Sequence, residues 1–205
     1  MISTNVQKWG GVVASLVSIL ALSSAAEAII FTSPTGPTGG RYRILDNDAT
    51  GVTASINISG QPNIASFNSV TISGFTHGFY GDVRAFLSNG ATTVQLFRTQ
   101  GAPDNATFTN DGSIEDEVGS NNLSGNYTFA TSGNNWYDQS SDPVPSATYA
   151  SSQSLSSAFN GSPLNGTWTL NVQDRVFREA NGSFSSFSID VTPVPFESNA
   201  APAGM

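Results

Sequence analysis

Fifteen acidic residues, seven basic ones and a single histidine limit the chemistry open to this 205-residue chain. A Ser-His-Asp hydrolase needs a histidine base, and His77 is the one histidine available. It sits in Thr76–Gly81, T-H-G-F-Y-G, beside a turn and far from any nucleophile signature. There is no G-x-S-x-G segment, no thiol and no histidine-rich metal motif. His77 therefore reads as a structural hydrogen-bonding residue. Asp82 and Asp174, on different expected strands, could in principle form the carboxylate pair of a glycoside hydrolase, but nothing in the sequence fixes their separation.

Calcium is the better use for the acids. It takes roughly six to eight oxygens from carboxylates, carbonyls and water, which loops rich in Asp and Asn supply. No EF-hand spacing is present, so a site would be assembled from separate loops. The candidate ligands are Asp82 and Asp174 at strand ends, with Asp111, Glu115 and Asp116 from the acidic stretch between Gln100 and Asn126. The competing reading makes that stretch a solvated face and has Asp82 and Asp174 cap local turns. Phe79, Tyr80, Trp136 and Tyr137 lie in turn or loop contexts, where they either stack on sugars or pack beneath the loops.

The elements that must position these residues are strands. In Asn165–Asp174, Trp168, Leu170 and Val172 alternate with polar residues, and Phe187, Ile189 and Val191 do the same in Ser183–Val191. Asn181-Gly182 is a turn dipeptide between them, so the two segments read as neighbouring strands sharing a core. Val83, Ala85 and Leu87 are in phase up to Asn89-Gly90, and Val94 and Leu96 continue beyond it, the signature of a hairpin. Further strands are expected at Arg41–Leu45, Val52–Ile58, Phe67–Phe75, Tyr127–Ala130 and around Trp136. Ser140–Leu164 reads as a loop plugged into the core by Leu155, Ala158 and Phe159. No helical period follows the N-terminal region, and the expected fold is an all-β sandwich of roughly eight antiparallel strands.

One good-sized domain fits this length. Residues 1–28 combine Lys8, an apolar run and a final Ala26-Glu27-Ala28, which describes a secretory signal cleaved after Ala28; an uncleaved anchor is the alternative. Residues 29–50 read as a Pro/Gly-rich linker and first strand, 51–192 as the sandwich, and 193–205 as an extended or disordered tail. Loss of Lys8 and Glu27 leaves the net charge at −8, which argues against nucleic acid or an anionic membrane as partner. Cysteine is absent, so a secreted domain of this kind must be held by its core, a usage that fits a bacterial source. Seven Asn-x-Ser/Thr triplets, at Asn57, Asn105, Asn122, Asn126, Asn160, Asn165 and Asn181, read as turn chemistry rather than glycan acceptors.

Five segments occur in a telling order: H-G-F-Y-G-D-V-R-A-F-L (His77–Leu87), N-G-A-T-T-V-Q-L-F (Asn89–Phe97), L-S-S-A-F-N-G (Leu155–Gly161), G-T-W-T-L-N-V-Q-D (Gly166–Asp174) and G-S-F-S-S-F-S-I-D-V (Gly182–Val191). Together they resemble the P domain of subtilisin-like proprotein convertases, over roughly Asn63–Thr192. The resemblance implies a jelly-roll β-sandwich, fused after a subtilisin-type catalytic domain whose folding and stability it supports, with calcium bound in many bacterial members. Val83 stands where that pattern usually has Leu, Phe187 where it has Trp, and the turn at Ser88–Thr92 is reduced. The 205 residues hold no protease domain. The expected function is thus a secreted, non-catalytic P-domain-like module with a binding, stabilising or structural role, accessory to a separate subtilisin-like serine endopeptidase. The alternative is a calcium-dependent glycan-binding or adhesive jelly roll at the cell surface.

Overall fold

The computed structural model describes residues 26–98, 121–177 and 181–195. Residues 1–25, 99–120, 178–180 and 196–205 lie outside them, and with them most of the expected signal segment, most of the acidic stretch and most of the expected tail. Of the described residues 52% are strand and 3% helix, so the all-β expectation holds. The strands are β1 (Ile29–Thr32), β2 (Tyr42–Ile44), β3 (Val52–Ile58), β4 (Ile64–His77), β5 (Val83–Ser88) and β6 (Thr93–Phe97). They continue with β7 (Leu123–Ala130), β8 (Thr148–Ala150), β9 (Gly166–Asp174), β10 (Gly182–Phe184) and β11 (Ser186–Pro193), and one short helix, α1 (Leu155–Phe159), precedes β9.

Two sheets form the sandwich. In the larger, the long β4 is flanked by β11 and β10 on one side and β7 on the other; β1 extends β11, β2 extends β10 and β8 extends β7. The smaller has the order β3-β9-β5-β6. Alternation drives both: Trp168, Leu170 and Val172 of β9 face Phe187, Ile189 and Val191 of β11 through one continuous buried core. Phe67, Phe159 and Trp168 pack together at ring separations of 5.0–5.6 Å. Trp136 is enclosed by Tyr80, Phe97, Tyr127, Phe129 and Tyr149.

Four details differ from the sequence reading. β9 and β11 are not sheet neighbours: each belongs to its own sheet. Residues 29–32 are laid onto the sheet as β1, paired with β11 from Ile29↔Val191 to Thr32↔Ser188. Pairing is not uniformly antiparallel, since β7 and β8 run parallel, which requires the long crossover 131–147. That crossover carries Trp136 and Val144 into the core, and residue 136 forms no strand. Finally, Leu155 and Phe159 plug the core from α1, whose N-cap Ser154 accepts from the Ser157 N–H.

Candidate functional site

The polar group buried deepest lies where the two sheets meet. β4 ends on His77 in the larger sheet and β9 ends on Asp174 in the smaller, and the β9–β5 register sets Asp174 opposite Val83. The side chains of His77 and Asp174 are both fully buried, with His77 Nε2 3.0 Å from Asp174 Oδ2. Asp174 Oδ1 accepts from the Val176 N–H at 3.0 Å. With Nε2–H donating to Asp174, His77 Nδ1 accepts the Phe79 N–H at 3.2 Å. The Phe79 carbonyl, 2.9 Å from Nδ1, accepts from the same nitrogen when the ring carries both protons.

Gly182 closes the joint from β10. A Cβ there would stand 2.4 Å from His77 Cδ2 and 2.6 Å from the Thr76 carbonyl, so only glycine lets β10 approach His77. Asp82 sits alongside, mostly buried, its carbonyl accepting the Arg175 N–H at 3.0 Å. Residues from β4, the turn after it, the end of β9 and the start of β10 thus converge on one imidazole. A catalytic triad gives one ring nitrogen to a carboxylate and the other to a nucleophile. Here the second nitrogen is given to the backbone of Phe79, and the pair joins the sheets.

Of the five candidate calcium ligands, only Asp82 and Asp174 fall among the described residues; Asp111, Glu115 and Asp116 lie outside them. Among the described residues no group of three or more acids, histidines or cysteines is placed to hold a metal. Asp174 gives both oxygens to protein donors, so the described residues do not form a calcium cage. For the loop aromatics, the structure takes the packing alternative at Tyr80 and Trp136. Tyr80 and Trp136 are packed edge to face at 5.6 Å inside the core. The Tyr137 hydroxyl accepts from the Arg98 N–H, and its ring lies under the Arg98 guanidinium. The six described triplet asparagines serve turns and strand edges: Asn126 accepts from the Gly74 N–H, Asn160 from Phe67, and Asn165 from Gln61. Asn57, Asn122 and Asn181 likewise bond to Thr167, Asp142 and Asp46.

A second polar assembly, which the sequence reading passed over, lies on the outer face of the smaller sheet. Arg84 Nε–H donates to Gln173 Oε1 at 2.7 Å, Gln173 Nε2–H to Asn171 Oδ1 at 2.7 Å, and Asn171 Nδ2–H to Thr53 Oγ1 at 3.0 Å. Burial, and then the like charge of Arg175, lower the pKa of the Arg84 guanidinium from its ordinary value. The sequence signal was the alternation itself, which sends positions 84 and 86 outward with 171 and 173.

No family model matches the chain, and no curated protein does. Among solved structures, it matches an Aeromonas sobria serine protease in complex with a chaperone, with a TM-score of 0.45 and 14% identity over 80% of this chain and 27% of that one. The structure of serine protease of Aeromonas sobria matches with a TM-score of 0.45 and 15% identity over 85% of this chain and 28% of that one. The chain spans little more than a quarter of the length of these proteins.

Proposed function

We propose that the chain is an exported, non-catalytic module that binds and stabilises a separate subtilisin-like serine endopeptidase. The observation that carries the non-catalytic part is the placement of the only histidine, enclosed at the sheet joint with both ring nitrogens engaged. The order of the five sequence motifs supports the endopeptidase as partner. In this reading the His77–Asp174 joint keeps the two sheets in register, so that one rigid surface is offered to the enzyme.

Purified chain mixed with a subtilisin-type catalytic domain is the test. The expected result is a raised midpoint for thermal inactivation of the protease, scaling with the amount of chain added. The chain alone is expected to leave a peptide substrate uncleaved. An unchanged midpoint together with no co-elution would overturn the accessory role, and cleavage abolished by His77→Ala in a still-folded chain would overturn the non-catalytic one.

A further inference from the structure

We propose that the outer face of the four-stranded sheet, centred on Arg84, Phe86, Asn171 and Gln173, binds a carboxylate-bearing polysaccharide. The argument begins with charge. In β3, β5, β6 and β9 the only charged residues are Arg84 and Asp174, and Asp174 points inward to His77. Arg84 is therefore the one charge that these strands turn outward, in a chain of net charge −8. The remaining outward positions are filled by Ser, Thr, Asn and Gln, apart from Phe86.

The face is also ordered in advance. One side-chain N–H of each of Arg84, Gln173 and Asn171 is given to the next residue in the run that ends on Thr53, and the Asn171 amide also donates to the Thr50 carbonyl, which fixes both amide planes. The Arg84 guanidinium carbon lies 5.3 Å from the centroid of the Phe86 ring. Among the described residues its two terminal nitrogens have no hydrogen-bond acceptor, so a planar fork of N–H groups is held ready for a carboxylate. A carboxylate arriving there would relieve the unfavourable burial and like-charge repulsion that lower the pKa of Arg84.

Strand register then sets the shape. Thr53, Asn171 and Phe86 stand opposite one another across β3, β9 and β5, giving one aromatic ring flanked by an amide and a hydroxyl. Sugars are recognised by that combination, an apolar ring face with a few placed polar groups. The arginine fork adds selectivity for a uronate over a neutral sugar. An acidic peptide would offer the same carboxylate without a sugar face to lie on Phe86, so polyglutamate is the control that separates the two. This inference is independent of the protease-accessory reading.

The test is affinity electrophoresis of the full chain through gels containing polygalacturonate, dextran or polyglutamate. Retardation by polygalacturonate alone is expected, weakening as salt rises. Arg84→Gln should weaken it by about tenfold or more, the loss of a hydrogen bond to a charged group. Arg84→Lys, which keeps charge without the fork, and Phe86→Thr should each weaken it several-fold, with unfolding midpoints near that of the parent chain. No retardation by polygalacturonate, equal retardation by dextran or polyglutamate, or retardation indifferent to Arg84→Gln would each overturn the proposal.

Discussion

At the residue scale, the buried pair makes the sharpest claims. Replacing His77 by Leu strands the Asp174 carboxylate in the core without its donor, and an uncompensated buried charge costs about 3–5 kcal/mol. Asp174→Asn keeps an acceptor and should cost less, about 1–3 kcal/mol. Urea unfolding of the two variants should therefore rank His77→Leu as the worse, by the same margin in calcium as in chelator, because both Asp174 oxygens serve protein donors. Gly182→Ala places a methyl against His77 and the Thr76 carbonyl, and overpacking of this sort costs about 1–3 kcal/mol. A Gly182→Ala midpoint equal to the parent's would mean that β10 can retreat. Both partners were singled out in the sequence, Asp174 as a strand-end acid and His77 as a structural hydrogen-bonder. Their pairing was not legible, because 97 positions separate them and local periodicity carries no information about which strand ends meet across a core.

At the element scale, legibility followed length. β3, β5, β6 and β9 hold five to nine residues with a clear period of two, and the reading found them close to their bounds. β8 holds three residues and α1 five, fewer than a period needs to declare itself, and β10, also three residues, merges with β11 into one strand in the sequence reading. The β9–β11 relationship was misread for a related reason: alternation says that each strand buries a face, and it is equally satisfied by neighbours in one sheet or by strands facing across a sandwich. α1 offers an element-scale prediction. Phe159 packs on Phe67 and Trp168 between the sheets, so Phe159→Ala should cost about 3–5 kcal/mol. Ser154→Ala, which removes only the cap, should cost about 0.5–2 kcal/mol. If the two were equal by chemical denaturation, the helix would be a surface turn rather than a plug.

At the scale of the whole molecule, alkaline pH probes the packed end of the core. Burial raises the phenol pKa of both Tyr127 and Tyr149 above the ordinary 10.0, and for Tyr149 the proximity of Tyr127 and Tyr80 adds to it. Below that value both phenols are neutral whether the chain is folded or not, so their contribution is fully present. Above it the unfolded chain ionises first, and stability falls as pH rises toward the folded-state values. Urea midpoints should be level near pH 8 and drop beyond about pH 10, with Tyr149→Phe blunting the drop; a level profile through about pH 11 would contradict the burial of these phenols.

The pairing of β1 with β11 bears on how such a unit is strung into larger polypeptides. Ile29 lies opposite Val191, so the first and last strands of the described residues are adjacent, about 4.7–4.9 Å apart. A unit with that property can be spliced into a surface loop of a host protein without prising the loop open. For the same reason, tying its ends together with a short glycine linker and cutting it instead at Asn89-Gly90 should give a rewired chain with the same two sheets.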